Sequence, residues 1–470
     1  MNIAFVTSEA VPYAKTGGLA DVSGALPQEL EKLGHNVILV MPYYEVVKKK
    51  NIPVKKLDNA DVYVAKTGKD LPVYFIANEE YFNRPELYGT PQGDYPDNAL
   101  RFSYFCNAVL DLLPKIHFKP DIINTNDWQS ALIPFYLRNS RKDEVFYKDT
   151  KTVLTIHNMA YQGLFEPSVL PEIGIGWDSF KPHGGVEFWG KMNFLKAGLV
   201  SVDAINTVSE KYSKEIQTDE YGCGLDGVLR DQGGHVYGIL NGIDYSQWNP
   251  EVDDLILRKF SMSSLNGKMD CKKDLLREFG LTALDSTPII GVISRLADQK
   301  GFDILAEIIE ELAILDMRLV LLGTGDERYH KLFTKIKEKY PEQFGIKIAF
   351  NNALAHKIEA GSDMFLMPSR YEPCGLNQIY SLKYGTVPIV RGTGGLDDTI
   401  QDFNPETKAG NGFKFYEYSS WELLNTIKRA LRLYKNKELW NTLMLNGMKQ
   451  DFSWSKSAEK YIEMYGKLKN

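Results

Sequence analysis

Four cysteines are all that 470 residues contain, and Cys106, Cys223, Cys271 and Cys374 stand at no metal-ligand spacing. Scattered thiols argue against a disulfide framework or a structural zinc and suit a reducing compartment. No apolar run approaches the roughly 18 residues that a membrane-spanning helix needs. The net charge of -6 is small for this length, so no field draws nucleic acid or anionic lipid to the chain. A metal-binding Asp-x-Asp pair is missing as well. The chain starts directly on the apolar run Ile3-Ala-Phe-Val, with no basic segment before it. These absences lead to a soluble cytoplasmic protein with no nucleic-acid and no membrane partner.

What is present is ordinary globular material, 44% hydrophobic and 25% charged. The length allows about three domains, although large α/β proteins often manage with two. Apolar density predicts strands over 2–8, 36–41, 72–77, 121–125, 152–156 and 237–240. Helical periodicity predicts helices from Gly17-Gly18 to Leu33 and over 97–113, 128–138 and 187–200. The polar stretch Trp248 to Lys268 reads as a domain boundary. Alternation then restarts, with strands at 288–293, 318–322, 346–350, 364–368 and 387–390. Helices fall between them at 302–315, 326–339 and 353–360, and three more follow at 420–433, 437–448 and 456–468. Such alternation implies right-handed crossovers and two doubly wound α/β domains, with ligands beyond the carboxyl ends of the strands.

One stretch gathers the most chemistry: Ser369-Arg-Tyr-Glu-Pro-Cys-Gly-Leu at 369–376, running on to Arg391-Gly-Thr-Gly-Gly-Leu at 391–396. Glu372 sits on a turn after a strand, and the loops holding Gly375 and Gly392-Thr-Gly-Gly open towards helices. Glycine loops at helix N-termini suit a diphosphate, and a carboxylate beside them suits sugar hydroxyls. Cys374 reads as a small packing or sugar-lining residue, because no histidine lies near it in sequence.

Three other loops follow strands. Lys15-Thr-Gly-Gly-Leu at 15–19 is either half of a nucleotide loop or a plain strand-to-helix turn with a solvated lysine. Arg295 and Lys300, on the loop 294–301, can neutralise a leaving diphosphate or merely decorate a helix end. His157 ends the strand 152–156, where a lone histidine is more often structural, and Asp127 reads first as a helix N-cap.

Taken together, Lys15-Thr-Gly-Gly-Leu-Ala-Asp-Val, Ile156-His-Asn-Met-Ala-Tyr-Gln-Gly, Asn193-Phe-Leu-Lys-Ala-Gly, Asn206-Thr-Val-Ser, Asn241-Gly-Ile-Asp and the two C-terminal stretches resemble the signatures of bacterial glycogen synthases and plant starch synthases. The likeness covers essentially the whole chain in order. It implies a GT-B fold, two Rossmann-like domains facing each other across a cleft. Residues 1–245 would form the N-terminal, acceptor-side domain, completed by a C-terminal helix at 455–470, and residues 246–454 the nucleotide-sugar domain.

The activity so implied moves glucose from a nucleotide sugar, usually ADP-glucose, to the 4-hydroxyl at the non-reducing end of an α-1,4-glucan such as glycogen. Configuration is retained, and no metal or other cofactor is required. By matched position, Lys15 with Gly17 and Gly18 would touch diphosphate and glucose, and Arg295 and Lys300 would hold the diphosphate. His157 would contact the donor glucose, and Glu372 its hydroxyls, with the amides of Cys374, Gly375 and Leu376 nearby. Phe350 would lie against adenine and Asp127 near the reacting centre. Asn241, Thr393, Gly394 and Gly395 complete the donor set. Three positions depart from the pattern: Asn126 for a common His, Tyr380 where many retaining GT-B enzymes carry a second Glu, and Gly392 for a common basic residue. A transferase using UDP-glucose or another acceptor, and a catalytically weak glucan-binding protein on the same scaffold, stay open.

Overall fold

Apolar strands such as Asn2–Val6 carry no polar face, so both sides must be covered, and helices returning between parallel strands cover them. The computed structural model describes residues 1–58, 60–68 and 70–469. They form two compact units, one of Met1–Gly242 together with the C-terminal stretch from Trp454, the other of Ile243–Ser453. Among the described residues no helix is long and apolar enough to cross a membrane.

In the first unit the strands run β1 (Asn2–Val6), β2 (Asn36–Pro42), β3 (Lys55–Lys56), β4 (Val62–Thr67), β5 (Leu71–Ile76), β6 (Gly89–Thr90), β7 (Gly93–Asp94), β8 (Ile122–Asn126), β9 (Lys151–Ile156), β10 (Leu164–Phe165), β11 (Glu187–Phe188), β12 (Lys191–Asn193), β13 (Ala204–Thr207) and β14 (Val236–Gly238). A nine-stranded sheet has the order β14-β13-β9-β8-β1-β2-β5-β4-β3. It is parallel from β14 to β5, with β4 and β3 added antiparallel at one edge. The order reverses between β1 and β8, so the crevice that such a sheet offers a ligand lies beyond the ends of those two strands.

The last helix, Trp454–Lys469, packs on Gly18–Lys32 and sends two tyrosines into the core of this unit. Tyr465 Oη donates to Asn124 Oδ1 at 2.9 Å, and the Asn206 amide reaches Tyr461 Oη at 2.9 Å. All four side chains are buried.

The second unit contains β15 (Ile289–Ile293), β16 (Arg318–Gly323), β17 (Phe344–Ile348), β18 (Met364–Met367), β19 (Val387–Arg391) and β20 (Phe413–Phe415). All are parallel in the order β17-β16-β15-β18-β19-β20. Counted from β15, that is the 3-2-1-4-5-6 order of dinucleotide-binding sheets, with its reversal between β15 and β18.

Three sequence expectations give way. The helix over 187–200 is instead the hairpin β11–β12 followed by the short helix Phe194–Leu199. Trp189 and Gly190 turn the chain at φ 51° and 79°, which a helix cannot accommodate. The helix over 128–138 is broken into Asp127–Ser130 and Leu132–Arg138, and that over 302–315 breaks at Ile308. The strand β4, next to the edge strand β3, was not foreseen, because only Val62 and Ala65 of its six residues are buried and it lacks the apolar density of the interior strands. Replacing Tyr465 with Phe leaves Asn124 Oδ1 without this donor in the core; a destabilisation of about 1–3 kcal/mol is expected, read from urea unfolding of the full chain.

Candidate active site

In the second unit the loops after β15 and β18 are stitched together. Gly301 adopts φ 76°, and a Cβ there would lie 2.0 Å from Pro368 O, so the two backbones approach more closely than any other residue allows. The Arg370 amide donates to Gln299 O at 2.8 Å, and the Gln299 side chain to Tyr371 O at 3.3 Å. This contact carries Lys300 to Glu372. The lysine Nζ stands 2.6 Å from Glu372 Oε2, and Ser369 Oγ donates to the same oxygen at 3.0 Å. Glu372 keeps 8% of its side-chain surface and Lys300 keeps 21%. A charge-assisted pair so shielded is stronger and better fixed than a surface pair.

The loop 391–396 supports this carboxylate from behind. A Cβ on Gly394 would fall 1.9 Å from Glu372 O, and one on Gly395 2.0 Å from Cys374 O. The Gly395 amide donates to Glu372 O at 3.1 Å and to Pro373 O at 3.2 Å. The glycines at 394 and 395 thus answer a close backbone approach, and the Gly395 amide is not one of the open anion donors that the motif suggested. Thr393 is buried just before the helix Gly394–Thr399.

Cys374 is buried, and Gly375 turns at φ 69° into the seven-residue helix Asn377–Lys383, for which Leu376 is the N-cap residue. Asn377 ties that helix back to β15 through Ile293 O at 2.8 Å. Arg295 reaches Gln299 Oε1 at 3.3 Å on the same loop as Lys300. Phe350 lies beyond β17 rather than at the end of a strand reaching 350, and 88% of its surface is exposed, leaving the ring face open for stacking.

Two of the departing positions have physical occupants. Tyr380 stacks on Trp248, which is sandwiched between it and His356 with ring centroids 3.9 and 3.8 Å apart. At Gly392 a Cβ would meet the Tyr416 ring at 2.6 Å, so any side chain would have to displace that ring.

In the first unit the corresponding loops follow β1 and β8. Asn126, fully buried, donates its amide to Val6 O at 2.9 Å, which turns its Oδ1 towards His157 Nε2 at 3.0 Å. An acceptor at that position fixes the proton on Nε2 and leaves Nδ1 as an acceptor. Burial pushes the His157 pKa down to about 3, so the ring is neutral at any working pH.

Asp127 does not act as the helix N-cap expected of it. It is the first residue of Asp127–Ser130, sits at φ 52°, and takes the His157 amide on Oδ1 at 2.7 Å. Burial raises its pKa to about 7; the amides of His157 and Asn158 oppose the rise, and the nearby Glu9 charge adds to it.

Lys15 Nζ is 2.7 Å from Asp21 Oδ1 on the surface. Gly17 and Gly18 are exposed, and a Cβ on either would meet nothing within 4 Å. Neither packing nor a positive φ requires glycine there. Asn241 is buried, and its Oδ1 has no hydrogen-bond partner among the described residues.

Glu9, which the sequence reading passed over, gathers the Lys15–Gly17 loop through its carboxylate and accepts from Tyr88 Oη at 2.7 Å. A carboxylate three residues past the end of β1 was the available sign; Tyr88 had none. Ser369 likewise carried no local sign of the bond it makes to Glu372.

The starch synthase catalytic domain family model matches residues 2–231, and the glycosyl transferases group 1 model matches residues 278–442. A glycogen synthase of Koribacter versatilis is 51% identical, the alignment covering 100% of this chain and 98% of the relative. Those of Fervidobacterium nodosum and Thermotoga maritima are 47% and 44% identical, over 100% and 99% of this chain and 99% of each relative. The solved catalytic domain of Starch Synthase IV from Arabidopsis thaliana, bound to ADP and acarbose, is similar with a TM-score of 0.89 and 31% identity over 99% of both chains. Sucrose-phosphate synthase from Thermosynechococcus elongatus shares the fold, with a TM-score of 0.60 at 16% identity over 99% of this chain and 98% of that one.

The pKa values make a prediction about stability. Asp127 holds its proton more tightly folded than at its ordinary value near 3.8, so its contribution is full at acid pH and is lost as pH rises towards 7. His157 works the other way, with stability growing as pH climbs from about 3 to its ordinary 6.5. Asn tolerates the same backbone conformation. In melting profiles from pH 4 to 7, Asp127→Asn should gain on the wild type as pH rises; parallel profiles would remove the raised Asp127 from the account.

Proposed function

Because the chain belongs to the family of bacterial glycogen synthases and plant starch synthases, GT-B glycosyltransferases, we propose that it transfers glucose from ADP-glucose to the non-reducing end of an α-1,4-glucan, lengthening glycogen with retention of configuration. The observation that carries this reading is the Lys300–Glu372 pair at the reversal point of the second sheet, where a nucleotide sugar is expected and where cation and carboxylate stand ready for its two halves.

On donor binding Lys300 exchanges Glu372 for the diphosphate, and Arg295 joins it. Together they stabilise the charge that grows on the departing ADP, which is the largest electrostatic contribution to the barrier. Glu372, released, accepts from glucose hydroxyls. The amides around Cys374, Gly375 and Leu376 lie beside it, and Thr393, Gly394 and Gly395 hold its backbone in place. Phe350 offers its open ring to adenine. Lys15 leaves Asp21 for the phosphates, and the bare backbone at Gly17 and Gly18 lets the donor approach. Neutral His157 accepts from a sugar hydroxyl through Nδ1, with Asp127 and Asn241 on the same unit.

Retention by double displacement needs a carboxylate beneath the anomeric carbon. Glu372, once released from Lys300, is taken up by the glucose hydroxyls, so same-face attack, with the departing phosphate taking the acceptor proton, uses the groups at hand more economically. These cations take the part that a metal ion plays elsewhere.

Nucleotide release is to be measured with ADP-glucose and UDP-glucose in parallel, each with and without glycogen, in a chelator. ADP release that depends on glycogen and ignores the chelator is expected; UDP release alone would overturn the donor, and silence with both would overturn the transferase. Lys300→Ala should lower kcat on the order of 10²- to 10³-fold. Glu372→Ala at near wild-type activity would dismiss the site assignment.

A further inference from the structure

Glu9 is 3% exposed and sits at the reversal point of the first sheet, on the loop that leaves β1. Its carboxylate meets four donors, all neutral. Oε2 takes the backbone amides of Thr16 and Gly17, the second at 3.2 Å. Oε1 takes the Thr16 hydroxyl at 2.5 Å and Tyr88 Oη at 2.7 Å. Tyr88 Oη also lies 2.7 Å from Ser8 Oγ, so the carboxylate is braced from a distant part of the chain. Burying a charge among neutral donors is costly unless its lone pairs are filled, and here they are.

The arrangement changes what the Lys15–Gly18 loop can do. The Thr16 and Gly17 amides are spent inside the protein and are not offered to an anion. Lys15, Thr16, Gly17 and Gly18 nevertheless lie on the surface, and the space over both glycines is open. A ledge of bare glycine backbone, held from beneath by Glu9 and with the Lys15 ammonium paired to Asp21 at its edge, is a mount for a ligand rather than a nest around it.

We propose that Glu9 is a positioning residue for the donor: its carboxylate, braced by Tyr88, locks the Thr16–Gly17 peptide so that Lys15 and the bare backbone at Gly17–Gly18 are held ready for the sugar diphosphate. This rests on the glucosyl-transfer reading above. Glu9 touches no substrate; its effect passes through the loop, and small displacements of such a mount are expensive because the reacting groups must be held to a fraction of an ångström.

The test pairs two measurements on the full chain. In hydrogen exchange of the free protein, peptides covering residues 10–20 should be protected, and Glu9→Gln, which sets an NH₂ group among donors, should release the Thr16 and Gly17 amides. In kinetics, Glu9→Gln should raise KM for ADP-glucose about 10- to 100-fold while KM for glycogen stays within about two-fold. Thr16→Val, which removes only the hydroxyl donor, should show part of the same defect, and Thr16→Ser, which keeps it, should match the wild type. A defect of folding alone would not divide the two KM values in this way. Exchange and donor KM both unchanged in Glu9→Gln would overturn the proposal; if that variant is too unstable to assay, a wild-type donor KM in Thr16→Val overturns it equally. A wild-type protein silent with nucleotide sugars would defeat the functional reading, while the exchange result would still decide whether Glu9 anchors the loop.

Discussion

A lysine ammonium 2.6 Å from a carboxylate that keeps only 8% of its surface is the interaction on which the second unit's site depends. Neither partner could be held there by its own loop. Gly301 lets the first loop press against Pro368, Ser369 shares the carboxylate oxygen, and Gly394 and Gly395 let a third loop lie against Glu372 and Cys374 from behind. Three strand ends are thereby fused into one floor, and the cost of sinking a carboxylate into it is offset by the lysine and the hydroxyl. In glucosyl transfer the same pair is a stored partition of charge: the cation is needed by the diphosphate and the carboxylate by the sugar.

The first unit solves a similar problem with neutral partners. Its sheet also reverses beside β1, and the loops beyond β1 and β8 carry Glu9 and Asp127 close enough for one charge to raise the other's pKa. Glu9 is satisfied by amides and hydroxyls. Asp127 is met by amides, and His157 is kept neutral with its proton directed by Asn126. Lys15 is then the cation at the surface beside this loop, paired with Asp21 in the free protein.

Much of the fold was legible because β1, β15 and β18 are apolar but for Asn2 and their loops carry glycine, so strands, crossovers and loop positions followed from pattern alone. Glu372, Lys300 and Arg295 were legible for the same reason. What pattern could not show was who pairs with whom across the sheet. Local spacing suggested that the glycines at 392–395 faced an anion, whereas Gly394 and Gly395 face the backbone of Glu372 and Cys374, residues about twenty positions earlier. Asp127 looked like a cap because capping is a local rule, and its left-handed backbone is set by tertiary contacts. The hairpin at 187–193 hid behind an apparently helical run, although Gly190 was a visible warning. Tyr88 carried no local sign of its contact with Glu9, seventy-nine residues away.

The central claim is that Glu372 restrains Lys300 in the free protein and gives it up to the diphosphate. Calorimetric titration of ADP, which has a diphosphate and no glucose, into the wild type and Glu372→Gln tests it most directly. With the carboxylate charge removed, Lys300 is no longer neutralised, so the variant should bind ADP as tightly as the wild type or more so. Markedly weaker ADP binding would show that Glu372 presents Lys300 to phosphate rather than competing for it, and would contradict the account.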